Sequence, residues 1–363
     1  LQSPLCISYA VFCLKKKIST FDIVLIVAFI LLGGFNYVDK LVRGFNLNPI
    51  FTGLMFFGVL YFAQDIISTP FSLYSNFVIE EKFGFNKMTI KTFVLDKLKS
   101  YLLVIVLGAI LLGGILFFFN KTGEYAWLYA WGLVSLFILI GQPLYTTVIA
   151  PMFNKFTPLE DSELKQDIEE YADKVDFPLK EVSVMDGSRR TAHSNAYFSG
   201  IGKKRVALYD TLVEEHSNDE LVAVVAHEVG HYKKRHIVKG MIISIIHTGI
   251  LFYLLSLFIN NQSLFDAFKM EYTSVYAGFV FFGLLYSPVE IVLSVGMNYL
   301  SRKYEYEADK FAVKTTESKD SMILGLKNLF VTNLGNLTPH PLNVVLNYSH
   351  PPVLERIKEI RSM

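Results

Sequence analysis

The run LLVIVLGAILLGGILFFF, residues 102–119, holds no charge and no polar side chain. Coiled as an α-helix at ~1.5 Å per residue it reaches about 27 Å, close to the thickness of a bilayer's hydrocarbon core. Similar runs lie on either side of it, at 21–38 (FDIVLIVAFILLGGFNYV), about 50–74, 126–150, 241–258 and 274–300. A buried helix in a large soluble core explains one such run but not six. The whole chain agrees: of 363 residues, 52% are hydrophobic and 18% charged, with a mean hydropathy of +0.38. These values exclude disorder and argue against a soluble enzyme. A net charge of +1 gives no footprint for nucleic acid. Cys6 and Cys13 make neither a disulfide framework nor a zinc site.

Charge around the spans predicts their direction. One side carries Lys15, Lys16 and Lys17 and, in the 75–100 loop, Lys82, Lys87, Lys91, Lys97 and Lys99; the other carries Lys40, Arg43, Lys121 and Lys269. Eight against four makes the first side cytoplasmic. The polar segment 151–240 and the tail after residue 300 fall on that side too. The predicted organisation is therefore a divergent or truncated start over 1–20, four transmembrane helices over 21–150 and a cytoplasmic segment over 151–240. Two further spans over 241–300 and a cytoplasmic tail over 301–363 complete it. Residues 1–14 are apolar but too short to span, no initiator Met precedes them, and the lysines follow them, unlike a signal peptide.

Within the polar segment stands His227-Glu228-Val229-Gly230-His231. Histidines four apart share one helical face, so both imidazoles reach one zinc ion. Glu228 beside them is placed to take the proton of an attacking water. Ser217 and Glu220 have capping-box spacing ahead of the apolar stretch from Leu221 to Ala226, and Lys233, Lys234, Arg235 and Lys239 follow, where a helix dipole favours cations. Gly230 costs this helix about 1 kcal/mol relative to Ala, a cost compatible with a substrate or another helix lying against its backbone. The pattern also arises by chance on surface helices, so its surroundings decide.

A catalytic zinc needs a third protein ligand. Asn298, Arg302, Glu305 and Asp309, spaced i, i+4, i+7 and i+11, share one helical face continuing from the last span. Glu305 suits a ligand, and Asp309 one turn on suits a carboxylate that orients a ligating His. The same stripe reads equally as a solvated charged face. In the tail, His350 precedes Pro351 and Pro352, and Arg356 follows; a His held at a helix start near zinc suits oxyanion stabilisation and Arg356 suits holding a carboxylate or stabilising the site, while capping and surface pairing are the plainer roles of both. His193, His216, His236 and His340 have no comparable setting. His247, Asp65 and Glu290 lie in spans, where ionisable groups mark function or an internal polar cavity. Ahead of the motif, 158–175 reads as an amphipathic helix, and Glu181–Val184, Asn195–Phe198 and Arg205–Tyr209 read as short strands. Of these, Asn195-Ala196-Tyr197-Phe198 is the best candidate to hold an extended peptide, an ordinary structural hairpin being the alternative.

Together these motifs resemble the type I CAAX prenyl proteases, integral-membrane zinc metalloendopeptidases. The resemblance rests on HEVGH, on Ser301 to Asp309 (SRKYEYEAD), on Ser349-His350-Pro351-Pro352 with Glu355-Arg356, on Val78 to Asn86 (VIEEKFGFN) and on Asn195 to Phe198. It implies a mainly α fold: a multi-pass bundle, in the family a seven-helix ring around a large water-filled chamber, with a small cytoplasmic α+β protease region. Only six spans are read here, so the missing one would precede the Lys15–Lys17 region. It further implies one zinc per chain on His227, His231 and Glu305, with Glu228 as general base. Asp309, Asn298 and Arg302 would stand behind the ligands, His350 and Arg356 would assist at the scissile bond, and Asn195, Ala196, Tyr197 and Phe198 would align substrate. The implied substrate is a prenylated CAAX tail losing its last three residues, with the lipid bilayer as the other partner. The residence would be the endoplasmic reticulum or inner nuclear membrane of a eukaryote, or a bacterial inner membrane, since much of the sequence looks like bacterial members. Rival readings are a membrane quality-control endopeptidase without prenyl specificity and a catalytically silent scaffold or transporter.

Overall fold

The computed structural model describes residues 20–199 and 204–363; the expected divergent segment 1–20, with Cys6, Cys13 and Lys15–Lys17, falls almost wholly outside them. The apolar runs are helical, and the helices outrun the apolar stretches. They are α1 (Thr20–Leu31), α2 (Gly34–Arg43), α3 (Pro49–Tyr74, continuing through a π-helical stretch Ser75–Glu80), α4 (Ile90–Lys121) and α5 (Ala126–Leu144). A π-helical stretch, Tyr145–Ile149, and the short α6 (Ala150–Phe153) extend α5. Pro70 and Pro143 precede the two π stretches, as expected where a missing N–H loosens the helical ladder. Further on come α10 (His236–Phe258) and α12 (Val275–Thr316). Five of these helical stretches are long and apolar enough to cross a membrane.

The expected first span, 21–38, is broken. Helices α1 and α2 meet at a bend of 65°. Gly33 adopts a left-handed φ of +70°, and a Cβ on Gly34 would collide with the Phe29 ring. The two glycines that look like ordinary span residues are what lets the chain turn. The 75–100 loop also shrinks to the few residues between Glu80 and Ile90, with Lys91, Lys97 and Lys99 on the first turns of α4. Few residues of the spans are buried within the protein, 6% to 22% of each apolar window, as a bilayer requires; Val292 is 71% exposed. The ionisable residues within the spans are paired, Asp65 with Lys97 at 2.8 Å and His247 with Glu290 at 3.1 Å.

The polar region after α6 builds on a four-stranded sheet of β1 (Phe156–Pro158), β2 (Leu179–Met185), β3 (Ala196–Ser199) and β4 (Lys204–Tyr209) in the order β1-β2-β4-β3. β2 and β4 are parallel and the outer pairs antiparallel. The expected strands are present within a residue or two; β1 escaped notice because three residues ending in Pro leave no alternation. The expected helix at 158–175 is α7 (Glu163–Lys174), started by Ser162, whose side chain accepts from Lys165 N. Around the sheet pack α8 (Asp210–Glu215), α9 (Asn218–Lys233), α13 (Lys319–Thr332) and α15 (Val353–Ser362). Ile168, Leu208, Leu212, Ala226, Val229, Ala312 and Ile360 are wholly buried among them. Two short helices, α11 (Gln262–Ala267) and α14 (Pro341–Asn347), complete the fold.

α12 joins the two parts. It starts as a span and continues without a break past residue 300, where a boundary was expected, into the core around the sheet. It crosses α9 at Gly230: a Cβ there would sit 3.0 Å from Ala308 Cα, 3.1 Å from its carbonyl and 3.3 Å from Phe311 Cβ. Of the two reasons for a glycine here, the structure gives another helix. Gly230→Ala gains about 1 kcal/mol of helix propensity but forces backbone against backbone, an overpacking cost of about 1–3 kcal/mol. Its expected result is a lower melting temperature, by about 2–4 °C for a net loss near 1 kcal/mol, measured by thermal unfolding in detergent. A raised melting temperature would show that the approach leaves room.

Candidate metal centre

α9 begins as its sequence predicts: Ser217 accepts from Glu220 N at 3.5 Å, with Asp219 and Glu220 in the first turn. The second half of the expected capping box is absent, because the Glu220 carboxylate accepts two bonds from Asn328 Nδ2, each 3.0 Å. Leu221, Ala223, Val225, Ala226 and Val229 are buried, on more than half of the helix's circumference. His227 and His231 then stand one turn apart, Nε2 to Nε2 3.1 Å. From α12, Glu305 Oε2 lies 3.4 Å from His227 Nε2, and Oε1 lies 3.4 Å from His231 Nε2.

Three observations test whether a metal ion fits. Tetrahedral bonds of about 2.0–2.1 Å place ligand atoms about 3.3 Å apart; the two imidazole nitrogens are 3.1 Å apart, and each lies 3.4 Å from a different oxygen of Glu305. Glu305 Oε2 is buried without a hydrogen-bond partner, an atom that a cation would satisfy. Third, although burial alone would lower it, the neighbouring carboxylates of Asp309 and Glu305 push the His227 imidazole up to about 9; the pocket favours positive charge. His227, His231 and Glu305 suit a divalent ion held by two imidazoles and a carboxylate.

Behind the ligands, Asp309 Oδ1 is 2.9 Å from His227 Nδ1. Asp309 is itself held by both arms of Arg356, Nε at 2.8 Å and Nη2 at 2.5 Å, while Arg356 Nη1 lies 3.4 Å from Glu305. Arg356, expected at the scissile bond, has its guanidinium committed to these two carboxylates. Asn298 and Arg302, expected behind the ligands, point elsewhere. Asn298 donates to Leu346 O, and Arg302 donates to Val344 O and Tyr348 O, so both hold α14 and the chain after it. The stripe is continuous, but at ~1.5 Å per residue Asn298 is roughly 10 Å along the axis from Glu305. Only the distal part of the stripe meets α9.

The cluster opens on a cavity of about 440 Å³ lined by Asn195 to Phe198, Glu228, His350, Leu326 and others. Glu228 is half-buried, and desolvation raises its pKa, with the two imidazoles pulling the other way. His350, its side chain 66% exposed, has Nε2 3.4 Å from Glu305 Oε1, free to meet an incoming group. β3 is an outer strand of the sheet, and its residues line this cavity. Two residues to which no role was assigned from sequence take part. Asn333 binds both the Ser194 N–H, at 3.1 Å, and the Ser194 carbonyl, at 3.3 Å, just ahead of β3. His236 touches His231. Neither lies at a helical or strand spacing from the motif, so no periodicity pointed to them.

Residues 14–155 match the family model of the CAAX prenyl protease N-terminal region, described as five membrane helices, and residues 158–363 match Peptidase family M48. Among curated proteins, the chain is 41% identical to the CAAX prenyl protease 1 homolog of Arabidopsis thaliana over 86% of this chain and 74% of that one. It is 38% identical to CAAX prenyl protease 1 of Saccharomyces cerevisiae, over 87% and 73%, and 34% identical to the Homo sapiens homolog, over 92% and 80%. The crystal structure of S. mikatae Ste24p superposes with a TM-score of 0.94 at 34% identity, covering 98% of this chain and 88% of that one. The chain belongs to Peptidase family M48, and it is a multi-pass integral-membrane metallopeptidase.

Proposed function

We propose that this M48 peptidase is a zinc endopeptidase that removes the C-terminal tripeptide from prenylated CAAX proteins. His227, His231 and Glu305 hold one zinc, and Glu228 is the general base. The observation that carries the reading is the buried two-imidazole, one-carboxylate cluster with an unpartnered Glu305 oxygen, opening beside Glu228 on a cavity edged by an outer strand. Two imidazoles and a carboxylate with one open position are a donor set typical of catalytic zinc. The names of the relatives above support the CAAX substrate class.

When bound, zinc polarises the scissile carbonyl and acidifies a water. The chain's own residues do the rest. β3 pairs with the extended substrate and aligns it along the cavity. Glu228 takes the proton of the attacking water and returns it to the leaving amine. His350, exposed at the mouth, donates to the developing oxyanion. Arg356 neutralises Asp309 and Glu305 and so fixes the ligands, a positioning role rather than contact with substrate. Charge counting supports a cytoplasmic site, where CAAX tails are presented. In domain terms, 21–150 supplies the amino-terminal spans, 151–240 the motif helix and strand, and α12 with the tail the third ligand and His350.

The test compares purified protein on a farnesylated and an unfarnesylated CAAX peptide of the same sequence. The expected result is cleavage three residues from the carboxyl end, faster on the farnesylated peptide by at least about tenfold, a modest share of what a buried isoprenoid's apolar area can supply. Equal cutting of both would replace this reading with a quality-control endopeptidase. Solute transport without cleavage would replace it with a transporter.

A further inference from the structure

The two ligand imidazoles are steadied by different means. His227 leans on a carboxylate, Asp309. His231 leans on a third histidine, His236, whose Nδ1 is 3.0 Å from His231 Nδ1. His236 opens α10. It comes after Arg235, which takes a left-handed φ of +57° and turns the chain sharply after α9, folding His236 back beneath the motif. The side chain is buried, its ring stacked on Tyr304 at 4.1 Å and 10°. Its other nitrogen, Nε2, is 3.1 Å from Glu307 Oε2 on α12.

These contacts admit one assignment of protons. His231 Nε2 faces His227 Nε2 and Glu305, so as a ligand it carries no proton. A neutral imidazole has one N–H, which must then be on His231 Nδ1. That N–H donates to His236 Nδ1, which must accept, so the proton of His236 sits on Nε2 and donates to the Glu307 carboxylate. Every contact is satisfied, donor to acceptor, with both rings neutral.

We propose that His236 is a positioning residue that, anchored by Glu307, fixes the tautomer and orientation of His231 as a metal ligand. It does so as a neutral acceptor, where His227 has an anionic one. Partners behind a ligating His typically set its tautomer, and losing one costs about 10–100-fold in metal affinity. The inference rests on reading the cluster as a metal centre.

The experiment measures zinc affinity of purified full-length protein by competition with a chromophoric chelator. His236→Phe keeps the ring and the stack on Tyr304 but removes the acceptor; it should bind zinc about 10–100-fold more weakly. His236→Gln, whose side-chain carbonyl can accept from His231, should recover most of that loss. Unchanged affinity in His236→Phe, or no recovery in His236→Gln, would overturn the proposal and reduce His236 to packing. Should His236→Phe fail to fold, the partly exposed Glu307 carries the test. Glu307→Gln retains an acceptor and Glu307→Leu does not, both having lost the charge, so the Leu protein should bind about 3–10-fold more weakly, a buried donor left unpaired costing about 1 kcal/mol or more. Equal affinities of that pair would overturn it as well. If the wild type itself binds no zinc, the metal-centre reading fails instead.

Discussion

Glu228→Gln is expected to keep its metal and lose cleavage by at least about 10²-fold, within the range a positioned general base contributes. The exchange is close to isosteric, so the cavity keeps its shape. None of the ligand atoms belongs to Glu228: the converging donors are His227 Nε2, His231 Nε2 and Glu305. A Gln amide cannot take a proton from water, however well placed, and so the loss falls on the chemical step. The rate constant should drop while the Michaelis constant stays near its wild-type value, because the strand is untouched and the near-isosteric exchange leaves the cavity its shape. A fluorogenic peptide assay, with zinc content measured on the same preparation, makes the check. Activity within tenfold of wild type at full metal content would remove Glu228 from the role of base.

Glu305→Ala should have the opposite signature: metal content falling from about one zinc per chain to below about a tenth, since two imidazoles alone leave the site a ligand short. The fold should survive. Arg356 keeps both of its bonds to Asp309, so no buried cation is left alone, and the Glu305 oxygen that lacks a hydrogen-bond partner is removed rather than stranded. Zinc in the buffer, at 100 times the dissociation constant, should stabilise the wild type by about 2.7 kcal/mol and the variant not at all. Thermal unfolding with and without zinc reads this directly, and equal zinc-dependent shifts in both proteins would exclude Glu305 as a ligand. The pair of variants separates the base from the ligand: one loses rate with metal retained, the other loses metal.

Much of the architecture is local and so can be read along the chain. An apolar run of bilayer length becomes a helix wherever it stands, and 50–74, 102–119, 126–150, 241–258 and 274–300 all did so. The exception, 21–38, turned on Gly33 and on how Phe29 folds over Gly34. A glycine in a run is compatible with both a straight helix and a break, and only the neighbouring packing chooses.

The centre divides the same way. HEVGH sets two imidazoles on one face because a helix turns every 3.6 residues, and the stripe from Asn298 to Asp309 follows the same geometry. Which residues of that stripe reach the centre is another matter. Glu305 and Asp309 do so because Gly230 lets α9 lie against Ala308, while Asn298 and Arg302, equally polar and on the same face, end on the backbone of α14 and the residue after it. Arg356 was placed at the substrate by its motif and is turned to Asp309 and Glu305 by the approach of α15. His236 had no signal at all: its contact depends on the left-handed turn at Arg235. The sequence by itself determined a membrane-spanning helical chain bearing a helix with two histidines and a glutamate side by side, because turn periodicity and transfer into lipid depend on near neighbours. The tertiary structure alone decided which members of the polar stripe reach the centre, where Arg356 turns and that a third histidine joins, because those contacts depend on the distance and angle between packed helices, which leave no periodic trace in either one.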